Sequence, residues 1–167
     1  NLPSFTEKDI HAFDIANKLK INHIALSFTS KSEDVVNLRK YFNYKIAVTS
    51  KIESRKGLKN LKSILSEADN ILIDRGDLSR EIKLEKIPKT QKNIIMQANK
   101  HKTPVYVATN LLESMVTKQE PTRAEINDVY NTLELFYVSR SIKDYDIQQN
   151  SFVDKINLYK LICHNYL

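Results

Sequence analysis

Residues 45–53, KIAVTSKIE, and residues 70–77, NILIDRGD, decide how this chain reads. Each is a short apolar run that ends in charge: Lys51 and Glu53 close the first, Arg75 and Asp77 the second. The chain has only two glycines, Gly57 just after the first run and Gly76 inside the second. Glycine is needed where backbone turns sharply or approaches another group closely. A chain this poor in glycine that keeps both beside acidic and basic side chains marks these stretches as its chemistry.

Outward from them, apolar strands alternate with amphipathic helices. Thr6-Glu7-Lys8-Asp9 offers a capped start for a helix to about Leu19, with Ile10, Phe13, Ile15 and Ala16 as buried positions. Residues 22–28, NHIALSF, read as a strand. Ser30-Lys31-Ser32-Glu33 is a capping-box pattern for a helix carrying Val35, Val36, Leu38 and Phe42. Further strands are expected at residues 45–50, 70–73 and 105–109, with helices at 58–66 and 89–102 between them. Thr122-Arg123-Ala124-Glu125, directly after Pro121, is another capping box and opens a helix to about Leu135. Beyond it, Phe136-Tyr137-Val138 is a candidate fifth strand and residues 142–151 read as a polar loop. Residues 152–166 read as a closing helix with Phe152, Ile156, Tyr159 and Cys163 on one face.

Strands separated by helices indicate βαβ units and a parallel sheet with helices outside. Neither a GxGxxG nor a GxxxxGK[ST] loop is present, which removes the main support for dinucleotide-binding and P-loop folds. The expected fold class is therefore α/β, a partial (β/α)8 barrel. A complete barrel takes roughly 250 residues, and this chain has 167. The expected division is a half-barrel over residues 1–135 and a divergent C-terminal segment over 136–167.

A hydrophobic content of 41% suits a globular fold with a real core. No run of ~18 apolar residues and no basic-then-apolar leader is present, so neither a membrane span nor a secretory signal is expected. The single Cys163 suits a reducing compartment. A cytoplasmic location is the expectation, with an organelle left open because the chain starts at Asn1. The net charge of +6 raises nucleic acid as a partner. The lysines, however, are scattered among carboxylates without an aromatic-basic motif, which favours a solvated basic surface suited to anionic substrates.

Alternate residues of a strand share a face, so Lys51 and Glu53 project the same way. At the carboxyl end of a barrel strand that direction is the active-site mouth. The bland reading is a strand-end ion pair worth about 0–1 kcal/mol. Asp77 repeats the geometry one βα unit later, and two carboxylates from adjacent strand ends can share a hard cation such as Mg²⁺. Gly-Asp is also an ordinary turn, and nothing suggests the extracellular loop that an Arg-Gly-Asp adhesion tripeptide needs. Thr109 places a hydroxyl at the same rim; taken alone it reads as an N-cap for Leu111-Leu112. His11, His23, His101 and His164 lack ligand spacing, and Cys163 reads as packing.

Taken in order, these segments resemble pyruvate kinase. The residues that carry the likeness are Leu2-Pro3, Glu7 to Ile10, Ser27-Phe28, Asp34-Val35, Ser50-Lys51-Ile52-Glu53 with Gly57, and Arg75-Gly76-Asp77-Leu78 with Glu81. It continues at Gln91-Lys92, Ala108-Thr109, Leu112-Glu113-Ser114-Met115, Pro121 to Glu125 and Asp128-Val129. The resemblance implies glycolytic phosphoryl transfer from phosphoenolpyruvate to ADP, giving pyruvate and ATP. It implies that Lys51 lies beside the transferring phosphoryl group, that Glu53 and Asp77 hold Mg²⁺ or Mn²⁺, and that Lys51, Gly76, Asp77 and Thr109 contact substrate. It also implies a K⁺ site whose ligands lie outside this chain, and self-association or a completing partner chain, since Pro121 to Glu125 resembles a loop near a subunit contact.

The likeness covers roughly the fourth to seventh barrel strands. Within it, Asp74 stands where the family has a small apolar residue, Ser79 replaces a glycine, Asn110 replaces a glutamine, and Thr49 and Lys56 are unusual. A carboxylate at Asp74 would face an anionic substrate unless Arg75 or the metal offsets it. Like charges ~4 Å apart cost about 1 kcal/mol in water and about 4 at an effective dielectric near 20. A catalytically inactive half-barrel serving as a binding module is the alternative expectation. A metal-dependent aldol-type enzyme acting on an oxoacid is a weaker one.

Overall fold

The computed structural model describes residues 5–109 and 111–138. Its elements alternate as expected: α1 (Glu7–Leu19), β1 (His23–Leu26), α2 (Ser32–Arg39), β2 (Ala47–Ile52), α3 (Arg55–Lys59), α4 (Leu61–Glu67), β3 (Asn70–Asp74), α5 (Arg75–Glu81), α6 (Ile87–Lys100), β4 (Val105–Ala108) and α7 (Arg123–Val138). Short 3-10 turns cover Leu84–Lys86 and Glu113–Val116. The four strands form one parallel sheet in the order β1-β2-β3-β4, with Lys51 level with Leu72 and Ile73 level with Val107.

Strand alternation divides the residues between two faces. Ile24, Leu26, Val48, Ile52, Ile71, Ile73, Val105 and Val107 point to one face, where the helices pack. Beneath β2 to β4 the core is built from Ile52, Ile71 and Ile73 against Leu61, Ile64 and Leu65 of α4, Leu78 of α5, and Ile94, Ile95 and Ala98 of α6. Each fully buried aliphatic side chain there contributes about 1.5–3 kcal/mol over leaving it in water. A second cluster joins Phe13 and Ala16 of α1 to Val35 and Leu38 of α2, with Phe42, Ile46 and Val48. Phe5, Tyr41 and Tyr44 meet it through edge-on and tilted ring contacts. The other face carries His23, Ala25, Thr49, Lys51, Asn70, Leu72, Asp74 and Tyr106, and Tyr106 is 52% exposed.

Local sequence explains the helix starts. Thr6 and Asp9 form a reciprocal capping box on α1. Thr122 and Glu125 do the same for α7, and Glu125 also accepts from the Ser114 amide and hydroxyl. Those bonds hold the Glu125 carboxyl down at about 2 and fix the loop before α7. Pro88 sits in the first turn of α6, and Ile87, Gln91, Ile94, Ile95 and Ala98 follow at helical spacing on its buried face. At the amino ends of the strands, Asp69 accepts from the Val48 amide at 2.7 Å and pairs with Arg39 at 2.8 Å.

Several expectations are corrected. Phe136-Tyr137-Val138 is not a fifth strand: α7 continues through Val138. Strand β1 stops at Leu26, and Phe28 has φ 50°, a turn rather than a strand. The region read as one helix over 58–66 is two, α3 and α4, meeting at Asn60. In front of α2 the acidic cap is Asp34, not Glu33, because Asp34 Oδ2 reaches the Ser30 and Lys31 amides. Ile10, Ile15 and Val36 are exposed, since a 3.6-residue period buries only the stripe containing their neighbours Phe13, Ala16, Val35 and Leu38. Leu2-Pro3, Asn110, and the loop and closing helix expected at 142–166, with Cys163 and His164, lie outside the described residues. Among the described residues no helix is long and apolar enough to cross a membrane.

Candidate active site

The carboxyl ends of β2, β3 and β4 bring Lys51, Glu53, Asp74, Gly76, Asp77 and Thr109 to one rim. Lys51 is the penultimate residue of β2 and Glu53 follows the strand, so both project from the face away from the helices. Their separation is 2.6 Å from Nζ to Oε1, and Lys51 Nζ also lies 3.3 Å from Asp74 Oδ2. The Glu53 side chain is wholly buried. Its Oε2 accepts from the Phe28 amide, presented by the left-handed turn after β1, while Oε1 has no hydrogen bond beyond the Lys51 ion pair. Burial of a lone carboxylate costs several kcal/mol, which makes the ammonium a structural necessity for Glu53. Burial works against the charge on Lys51, yet the bonds and attraction from Glu53 and then Asp74 outweigh it and raise its pKa.

Asp74 is the N-cap of α5, with Oδ1 facing the Asp77 amide at 3.4 Å and the Thr109 hydroxyl at 3.2 Å. Burial would raise its pKa, but the Asp77 amide and Lys51 prevail and lower it. Its charge is offset by Lys51. Arg75, considered from sequence as the balancing group, turns elsewhere: Nη1 contacts both Asp128 oxygens at 2.8 and 2.7 Å, and Nε and Nη2 hold the Thr109 carbonyl at 3.1 and 2.8 Å.

Thr109 does not cap the following turn. Its Oγ1 accepts from the Gly76 amide at 2.8 Å. Its φ is 67°, a left-handed conformation that costs a β-branched residue about 1–3 kcal/mol and persists only where surrounding contacts impose it. A Cβ at Gly76 would meet Thr109 and Asp74 at 3.5 Å, ordinary contact distance. Gly57 is tighter, because a Cβ would lie 2.7 Å from the Thr29 carbonyl oxygen. Ser79, another departure, donates its hydroxyl to the Gly76 carbonyl at 2.7 Å. Thr49 bonds His23 at 3.0 Å across β1 and β2.

Glu53, Asp74 and Asp77 each offer a carboxylate oxygen within 4.8 Å of the others. An all-oxygen donor set of this kind suits Mg²⁺ or Mn²⁺ rather than softer ions. Lys51 pairs with Glu53 and Asp74, and among the described residues Asp77 pairs with the exposed Arg80, at 3.2 Å. The surplus negative charge fits a divalent cation. The sequence singled out Lys51, Glu53, Gly76, Asp77 and Thr109, and the fold brings all five together. The sequence placed Asp74 in the site as a carboxylate facing the substrate but not as a third acid of the cluster, although an Asp three residues before Asp77 at a strand-to-helix junction is an N-cap pattern. Phe28 and Asp128 fall in segments that carry the resemblance, but nothing local gave either a role in the site.

The sequence matches the family described as pyruvate kinase, barrel domain, over residues 1–134. It is 38% identical over 136 residues to the pyruvate kinase of Clostridium perfringens, covering 79% of this chain and 29% of that protein. It is 41% identical over 135 residues to the pyruvate kinase of Methanocaldococcus jannaschii, covering 79% and 30%. With the cytosolic isozyme of pyruvate kinase from Glycine max the identity is 43% over 139 residues, covering 80% and 27%. The chain thus spans about three tenths of the length of these relatives. On the family match across residues 1–134, this chain, an α/β fold with a parallel sheet, belongs to the pyruvate kinase family.

Proposed function

We propose that this chain forms part of a (β/α)8 barrel and supplies the Lys51, Glu53, Asp77 and Thr109 portion of a site that moves a phosphoryl group from phosphoenolpyruvate to ADP. Three acidic oxygens within 4.8 Å of one another beside a buried-side ammonium carry the reading. Strands laid side by side in chain order, with helices on one face, support the barrel.

Phosphoryl transfer asks for positioning and charge neutralisation more than covalent chemistry. Glu53 and Asp77, joined by Asp74, would hold a Mg²⁺ or Mn²⁺ ion, which when bound supplies positive charge to phosphoryl and enolate oxygens. Lys51 stabilises the charge that develops on the transferring group and on the enolate. It is kept fully charged by Glu53 and Asp74, whose attraction raises its pKa. Gly76 and Thr109 orient the three-carbon acid. The Gly76 amide donates to the Thr109 hydroxyl, which keeps the two groups side by side at the rim. The K⁺ ligands and nucleotide contacts implied by the family would come from outside these 167 residues.

The test is phosphoenolpyruvate-dependent ATP formation with Mg²⁺ and K⁺ by the protein that carries this chain. Lys51→Met should lower turnover by about two to three orders of magnitude, the range for losing one charge-stabilising donor. A melting curve belongs beside it, because the substitution leaves Glu53 buried without its partner. Turnover at the unsubstituted rate in a folded Lys51→Met protein would contradict the assignment. A binding module without turnover is the second reading, favoured by the exposure of His23 and Tyr106 on the sheet face away from the helices, among the described residues. In that case a completing partner, or a second copy, covers the face.

A further inference from the structure

We infer that Asp128, on α7 and outside the reacting centre, is the positioning residue that sets the Thr109 hydroxyl, acting through Arg75. The inference rests on the proposed reading for the use of that hydroxyl, but the geometry itself is independent of it.

Thr109 is the only threonine among the described non-glycine residues with positive φ, the others being Lys20, Phe28, Lys102 and Leu112. A side chain branched at Cβ resists this conformation, so contacts must hold it there. Two of them come from one guanidinium: Arg75 Nε and Nη2 both grip the Thr109 carbonyl. That grip fixes the peptide plane after Thr109 and leaves Oγ1 facing the Gly76 amide.

Arg75 does not choose its own direction. It leaves the first residue of α5, directly after Asp74, whose carboxylate is already paired with Lys51. Instead Nη1 lies on both oxygens of Asp128, and the Arg75 side chain is only 10% exposed. With Nε and Nη2 on the carbonyl and Nη1 on both carboxylate oxygens, four of its five N–H donors are engaged and its direction is fixed. Asp128 is itself held in place because the Thr122–Glu125 box, tied also to Ser114, fixes the first turn of α7. The order of command therefore runs from α7 through Asp128 and Arg75 to Thr109 and the Gly76 amide. Releasing Asp128 loosens the Arg75 grip on the Thr109 carbonyl, and the threonine relaxes.

Two variants of the 167-residue chain test this, Asp128→Asn and Arg75→Lys, with Asp128→Glu as the conservative rescue. The direct readout is amide hydrogen exchange at Gly76 together with the Thr109 methyl resonance, assigned with Thr109→Ser. Asp128→Asn and Arg75→Lys should speed Gly76 exchange about tenfold or more, as a local opening that spares global unfolding does. Both should move the Thr109 methyl, and Asp128→Glu should restore each signal. In the functional arm, oxalate affinity measured with Mn²⁺ present should fall about tenfold, since a small misplacement of a positioning group costs up to ~10²-fold. Mn²⁺ affinity itself should stay within about twofold, a split that general loosening would not give. Unchanged Gly76 exchange and Thr109 methyl in both folded variants would overturn the inference. If the unsubstituted chain binds neither Mn²⁺ nor oxalate, the proposed function fails, and the exchange and methyl signals still decide the role of Asp128.

Discussion

Ile73 and Leu72 are neighbours on β3, yet they belong to different proteins in a chemical sense. Ile73 points to the helices and is fully buried among Ile52, Ile71, Ile94 and Ile95. Leu72 points to the other face, in the row with Lys51 on β2 and Tyr106 on β4. The same three strands thus present an aliphatic wall one way and a charged, partly open surface the other. The aliphatic core is concentrated on the first and the candidate site on the second, and strand parity keeps them apart. The exception is Glu53, a wholly buried acid whose burial is made tolerable by Lys51 and the Phe28 amide.

Substitutions can break this division, beginning with the largest effect. Ile73→Ala should cost about 2–5 kcal/mol of unfolding free energy, the usual range for such a buried truncation. Leu72→Ala, one residue away, should cost clearly less in the same urea titration, because that side chain is only partly buried. Equal losses would show that the second face is also a packed core.

Gly57→Ala tests the rim. The added methyl would stand 2.7 Å from the Thr29 carbonyl oxygen, a backbone atom that cannot simply swing away. Overpacking of this kind costs about 1–3 kcal/mol, read as a lowered denaturation midpoint. An unchanged midpoint would mean that the α3 junction with the Thr29 loop is loose.

Asp74→Asn gives the smallest and most discriminating effect. The amide can keep an oxygen toward the Asp77 amide and the Thr109 hydroxyl while its charge disappears. Removing one negative charge should weaken Mn²⁺ by about tenfold and strengthen oxalate at saturating Mn²⁺ by a similar factor, about 1.4 kcal/mol in opposite directions. Calorimetric titration reads both. Losses of both affinities together would make Asp74 a structural cap with no electrostatic part in the site.

Much of this was legible in the sequence. The strand positions followed from short apolar runs, and Lys51, Glu53, Gly76, Asp77 and Thr109 could be placed on one rim because each ends a run or follows one. The Thr122–Glu125 box read correctly because capping is local. Long-range choices were not legible. Asp74 looked like an unwelcome charge, since its partner Lys51 lies on the adjacent strand. Arg75 and Asp128 are 53 positions apart, and no local pattern joins them. Phe136-Tyr137-Val138 has strand-like composition, but adding residues to an existing helix is easier than starting a new element, so α7 runs on.

The most direct test of the central claim is a Mn²⁺ titration of the chain followed by electron paramagnetic resonance. The account predicts one bound ion per chain, lost in Glu53→Gln and in Asp77→Asn and kept in Leu72→Ala. No bound ion, or the same affinity in all four proteins, would contradict it.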